Sequence, residues 1–121
     1  MHHLDKGKEA ETLAGRYLAR QGLALVQRNY HSRYGEIDLV MTDGDSIVFV
    51  EVRYRQRSAF GNAAETVDRR KQARIIACAR YYLQQHPVAS THPCRFDVIG
   101  VSGSFGNPQI EWIVDAFQAS A

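Results

Sequence analysis

This 121-residue chain has two cysteines, three prolines and one tryptophan. The cysteines, Cys78 and Cys94, show no CxxC spacing and no companion ligands. They read as two reduced, partly buried thiols, which excludes a disulfide framework and a zinc knuckle. Five histidines, at positions 2, 3, 31, 86 and 92, are scattered without zinc-ligand spacing. No apolar run is long enough to span a membrane, and the segment 1–6 lacks the apolar stretch of a signal peptide. The expected location is therefore the cytoplasm, with no membrane partner. Repeats and low-complexity tracts are also missing. What remains is 45% hydrophobic and 23% charged, a balance that argues against disorder. Its length suits one domain over residues 1–121.

Net charge is only +2, but its distribution is uneven. Between Glu36 and Glu51 lie five acids (Glu36, Asp38, Asp43, Asp45, Glu51) and no Lys or Arg. Between Arg53 and Arg80 lie eight basic residues and two acids, Glu65 and Asp68. An acidic segment feeding into a basic one suits a site that holds a cation beside a polyanion. A solvated surface with uneven charge would look the same.

Helical spacing of Ala10, Leu13, Ala14, Tyr17, Leu18 and Gln21 predicts a helix over 6–21, stopped by Gly22. A strand is expected over 23–30 and a connection over 29–34. Strands over 35–43 and 46–56 follow, joined by a tight turn at Asp43-Gly44-Asp45. Both faces of this hairpin are apolar, which predicts cover from helices on both sides. Phe60-Gly61-Asn62 breaks the pattern before a second helix over 65–86, with a stripe of Ile75, Ala79, Tyr82 and Leu83. A loop from His86 to Pro93 then leads to strands over 95–101 and 109–114. The order α-β-β-β-α-β-β implies an α/β domain with a mixed sheet, the second helix carrying a right-handed crossover.

The hairpin carries the candidate chemistry. Side chains alternate across a strand, so Glu36, Asp38 and Val40 are expected on one face. A two-residue turn at Gly44-Asp45 would set Asp38 opposite Glu51. A turn at Asp43-Gly44 would instead set Glu36 there, with Asp38 on the diagonal. An odd loop would break the arrangement. Like charges facing each other across a sheet destabilise it, more so when partly desolvated. A divalent cation removes that cost, and oxygen-only ligands favour Mg²⁺ or Mn²⁺ over zinc. Such an ion can acidify water and neutralise a phosphate. Acids paired with nearby arginines, or an edge strand with its acids in water, would give the same pattern.

Gly35-Glu36-Ile37-Asp38-Leu39-Val40, with Val48-Phe49-Val50-Glu51-Val52-Arg53-Tyr54-Arg55, resembles the YraN-like family of predicted endonucleases. That family is similar to Holliday-junction resolvases within the restriction-endonuclease-like group, whose signature is D…ExK. Gly7, Glu11, Ala14, Leu18, Phe60-Gly61, Lys71, Arg95-Phe96-Asp97-Val98 and Trp112 to Phe117 fit the same pattern. The resemblance implies a restriction-endonuclease-like αβββαβ core, with Asp38 and Glu51 as metal carboxylates. It adds Glu11, which could equally face solvent from the first helix, and Glu36, a further ligand or a shaper of the strand's start. Arg53 stands where the signature has Lys. It stays charged and cannot act as a general base, but its fork suits phosphate oxygens. Lys71, in line with Ile75 and Ala79, could substitute for that Lys or lay its stem on the core. Arg55, Arg57, Arg69, Arg70 and Arg74 are expected phosphate-backbone contacts or a solvated basic face. Tyr54, Asp97 and Trp112 read as structural. Phe60-Gly61 reads as a substrate-facing loop or an ordinary turn.

The expectation is thus a Mg²⁺- or Mn²⁺-dependent DNA endonuclease, acting on branched or damaged DNA. Asp38, Glu51, Arg53 and Lys71 would carry the chemistry. Many resolvase-like enzymes work as dimers, which makes a homodimer an expectation with no legible interface. Two rivals stand beside it: an inactive nuclease fold that binds nucleic acid, and a scaffold whose acids and arginines form a structural network.

Overall fold

Asp5 and Asp68 start the two helices. Each side chain accepts a hydrogen bond from the backbone N–H three residues on, Lys8 N at 3.2 Å and Lys71 N at 2.8 Å, satisfying donors that a helix leaves open. In the computed structural model, residues 5–55 and 63–119 are described. Helix α1 spans Lys6–Arg20, and Gly22, at φ +102°, turns the chain out of it. Strands β1 (Ala24–Ser32), β2 (Gly35–Asp43) and β3 (Ser46–Arg55) follow. Next come a 3₁₀ turn, η1 (Ala63–Thr66), helix α2 (Arg69–Gln85) and a second turn, η2 (Ala89–Thr91). Strands β4 (Cys94–Ser104) and β5 (Asn107–Phe117) end the fold.

The five strands form one mixed sheet in the order β1-β2-β3-β4-β5. Only β3 and β4 are parallel, and α2 lies on the crossover between them. Each helix covers one face. Ala10, Ala14 and Leu18 of α1 pack with Leu39, Met41, Val48, Val50, Ile99 and Val101. Ile75, Cys78, Ala79 and Tyr82 of α2 pack with Val40, Phe49, Phe96 and Val98. The architecture is a mixed sheet flanked by two helices, compatible with the restriction-endonuclease-like core. Neither helix is long and apolar enough to cross a membrane.

Several boundaries differ from the sequence reading. Residues 29–32 belong to β1, because Tyr30, His31 and Ser32 pair with Ile37, Glu36 and Gly35; the connection shrinks to a turn at Arg33-Tyr34. Asp68 caps α2, so the helix starts later than residue 65, with Ala63–Thr66 set off as η1. Strands β4 and β5 run longer than expected, held by pairing out to Ser104↔Asn107. Cys78 is buried, whereas Cys94 is exposed, so only one thiol is sheltered.

Asp97, fully buried, accepts from Arg95 Nε at 3.0 Å, Trp112 Nε1 at 3.0 Å and Asp115 N at 2.9 Å. Those bonds stitch β5 to β4 at a ladder irregularity between Phe96 and Val98, where Asp115 adopts a left-handed φ of +54°. Asp97 and Trp112 are structural, and Tyr54 packs on Phe105 with ring centres 5.0 Å apart.

Candidate active site

The Gly44-Asp45 turn holds two residues, with Asp43 facing Ser46. Of the two registers left open by the sequence, this is the one that aligns Asp38 with Glu51. The β2–β3 ladder ends one step earlier, at Leu39↔Val50. Beyond it β2 stays with β1, through Ile37↔Tyr30 and Glu36↔His31, while β3 stays with β4, through Glu51↔Val98 and Arg53↔Gly100. A wedge opens between β2 and β3. Asp38 fills its apex, Oδ2 accepting a hydrogen bond from Val52 N at 2.8 Å. A side-chain oxygen there replaces the strand carbonyl that the ladder no longer supplies.

Strict alternation fails in the same stretch. Ile37 and Val40 both pack on the α2 side, whereas Leu39 packs on the α1 side. Burial above all, then the neighbouring Glu51 charge and a hydrogen bond shared between the two carboxyl groups, raise the Asp38 carboxyl from 3.8 to about 7, against the Val52 bond that lowers it. Glu51 is 4% exposed. Its Oε2 lies 3.3 Å from Arg53 Nη1 and 3.6 Å from Lys71 Nζ. Lys71 therefore delivers its ammonium to the carboxylate from the first turn of α2.

Arg53 is itself held. Its Nε donates to Thr66 Oγ1 at 3.0 Å, and its Nη2 to the Thr66 carbonyl at 3.2 Å. Thr66 belongs to η1, which rests on the sheet beside Arg53: Ala63 lies over Gly100, the register partner of Arg53. Ala63 N also donates to Glu111 Oε1 at 2.8 Å. Sequence reasoning missed Thr66 and Glu111, since neither falls within a motif.

Glu11 approaches from α1. Its Oε1 is buried without a hydrogen-bond partner, and the nearest cation is Arg28 Nη2 at 3.6 Å. Burial raises its carboxyl, the Asp38 charge adds to this, and Asn29 and Arg28 pull it down. Arg28, also missed, is anchored to α1 through Thr12 Oγ1 and the Lys8 carbonyl. Glu36 stands apart: half exposed, its Oε2 is 3.1 Å from His31 Nδ1, and it is the weakest influence raising Asp38. Among the described residues no three His, Cys, Asp or Glu side chains gather closely enough to hold an ion. The acids form a close pair, Asp38 and Glu51, with Glu11 behind.

Arg69, Arg70 and Arg74 are exposed on α2, and Arg55 is half-buried at the end of β3. Arg57 and Phe60-Gly61 lie outside the described residues. The constellation can hold negative charge at its centre, with two fixed cations beside it and further arginines around the first half of α2.

A family model described as "Uncharacterised protein family UPF0102" matches residues 10–101. A UPF0102 protein of Nitrosococcus oceani is 51% identical over 119 residues, covering 98% of this chain and 96% of that protein. One from Pseudomonas savastanoi pv. phaseolicola is 51% identical over 114 residues, covering 93% of each. One from Pseudomonas aeruginosa is 50% identical over 117 residues, covering 95% of this chain and 94% of that protein. The matched segment contains the whole constellation from Glu11 to Lys71, and this chain belongs to the UPF0102 family.

Proposed function

We propose that this UPF0102 protein hydrolyses phosphodiester bonds in DNA with the help of Mg²⁺ or Mn²⁺. The observation that carries the reading is the Asp38–Glu51 pair at the apex of the wedge, with Arg53 and Lys71 on one carboxylate oxygen. A buried acid, Glu51, next to a half-buried one, Asp38, costs stability unless something positive joins them. Glu11 Oε1, buried without a hydrogen-bond partner and 3.6 Å from Arg28 Nη2, is a further oxygen close enough to feel the Asp38 charge, and an all-oxygen donor set suits a hard divalent cation. Asp38 and Glu51 would hold that cation, with Glu11 assisting. When bound, such an ion draws charge from a phosphate and lowers the pKa of water.

The chain's own residues supply the rest. Asp38 must give up its proton to serve as a ligand, and an arriving cation favours that step. Arg53, fixed by Thr66, presents a permanent charge toward developing negative charge on the phosphate, with little reorganisation. Lys71 adds an ammonium on the same side, 3.6 Å from Glu51 Oε2. Arg55, Arg69, Arg70 and Arg74 would grip the DNA backbone without reading its sequence.

One observation favours a second reading. Arg53 spends donors on Thr66 and Glu51 as a structural cation would, which suits a nuclease fold that binds nucleic acid without cutting it. The deciding experiment is a cleavage assay on single-stranded, duplex, flapped and four-way DNA with Mg²⁺ or Mn²⁺, beside a folded Asp38→Asn/Glu51→Gln control. Metal-dependent cutting lost in the control supports the hydrolase. Salt-sensitive binding without cutting supports the binding module, and neither would leave the acids and arginines as a structural network.

A further inference from the structure

Beside the carboxylate pair lies a cavity of about 360 Å³ between the β1–β2 hairpin and α2, lined by His31, Ser32, Glu36, Lys71, Arg74 and Ile75. A smaller cavity of about 210 Å³, lined by Arg53, Thr66 and Arg70 among others, shares Lys71 and Arg74 with it. These two side chains therefore stand between the two spaces. Their charges are differently committed. The Lys71 ammonium faces Glu51, whereas Arg74 has no anionic partner among the described residues. The carboxylate of Glu36 is engaged by His31 Nδ1, which leaves the imidazole Nε2 for a ligand. Gly35 closes the hairpin end at φ +148°, and a Cβ there would sit 3.5 Å from Arg74 Cβ. The hairpin end and the Arg74 stem are thus neighbours across the cavity wall.

We propose that the larger cavity is a subsite for a single nucleotide, with its phosphate on Arg74 and its sugar or base toward His31 and the Ile75 floor. At about 360 Å³ it falls near the small end of ligand pockets, roughly 300–1,000 Å³, a size for one nucleotide and not for a base pair. An uncommitted guanidinium is the group best shaped for a phosphate. The nucleotide assignment rests on the hydrolase reading, and it adds that the strand enters with one nucleotide unpaired next to the bond that is cut.

The test is direct binding of deoxyadenosine 5′-monophosphate to the full chain, followed by amide NMR, without added metal. Saturable binding is expected, with shifts at His31, Gly35 and Arg74. It should weaken about tenfold or more in Arg74→Ala and for deoxyadenosine lacking the phosphate, weaken in His31→Ala, and persist in Asp38→Asn. Arg74 and His31 are exposed, so their replacement leaves the core intact. Absence of saturable binding, or binding indifferent to Arg74→Ala and to the phosphate, would overturn the subsite. Binding that behaves as expected in a chain that cuts no DNA would overturn the hydrolase reading and leave the subsite standing.

Discussion

Asp38 and Glu51 face each other one residue past the last pair of the β2–β3 ladder, where Asp38 Oδ2 takes the Val52 N–H at 2.8 Å. The acid pair is thus also the device that ends the ladder. Its cost and its use sit in the same place.

The cost should show in how stability depends on pH. Burial, and then the Glu51 charge, hold the Asp38 carboxyl at about 7 instead of 3.8. The folded chain therefore keeps a proton that the unfolded chain releases between about pH 4 and 7. The stabilisation from that proton is complete below about pH 4 and is lost as pH rises through 7. Asp38→Asn keeps an acceptor for Val52 N and removes the titration. At pH 8 it should raise the melting temperature, by about 3–6 °C for each kcal/mol that the ionised pair costs the fold, and by nothing at pH 3.5. Thermal melts of both proteins across this range decide it. A gap that stays constant with pH would remove Asp38 as its source.

Arg53→Lys addresses the departure from the D…ExK signature. A lysine cannot reproduce both the Nε bond to Thr66 Oγ1 and the Nη2 bond to the Thr66 carbonyl. The expected outcome is a loss of about 1–2 kcal/mol of stability and no gain in cleavage, since Lys71 already brings an ammonium to Glu51. Increased cutting by the variant would identify Arg53 as a defect and favour the binding-module reading for the unaltered chain.

Arg70→Ala and Arg74→Ala should each weaken DNA binding at low salt. Each should also reduce the slope of log affinity against log salt by about one. Fluorescence anisotropy with one labelled duplex over a range of NaCl measures this. Slopes unchanged in both variants would place the DNA path elsewhere on the surface.

Asp97→Ala should cost about 3 kcal/mol or more, because it removes the buried acceptor shared by Trp112 Nε1, Asp115 N and the Arg95 guanidinium. Chemical denaturation measures the loss. A change below 1 kcal/mol would show that the β4–β5 stitch is redundant.

The elements that surround the site were legible where local chemistry dictates them. Asp-Gly marked the hairpin turn, and the spacing of Ala10, Ala14 and Leu18 marked the buried face of α1. The register of Asp38 against Glu51 was one of two that the sequence left open, and only strand pairing chose between them. Alternation could not foresee the twist that sends Ile37 and Val40 to the same side, because it arises where β2 leaves one neighbour and keeps the other. Glu36 was expected beside the other acids on this alternation, yet His31, a cross-strand partner, engages it. The start of α2 was set too early because Ala63–Thr66 is helical in composition, while the Asp68 cap decides the true first turn. Thr66 and Glu111 gave no signal, since both act through bonds made far along the chain.

Gly100 carries the least conspicuous constraint. A Cβ at that position would lie 2.7 Å from the Ala63 Cβ, inside any contact real side chains make. The missing methyl acts as a shim: it sets how low η1 sits on the sheet, hence where Thr66 meets Arg53, hence where positive charge stands beside Glu51. A shift of a few tenths of an ångström would consume the tolerance of the 3.0 Å bond between Arg53 Nε and Thr66 Oγ1. The electrostatics of the carboxylate pair are thereby calibrated by a residue that carries neither charge nor side chain.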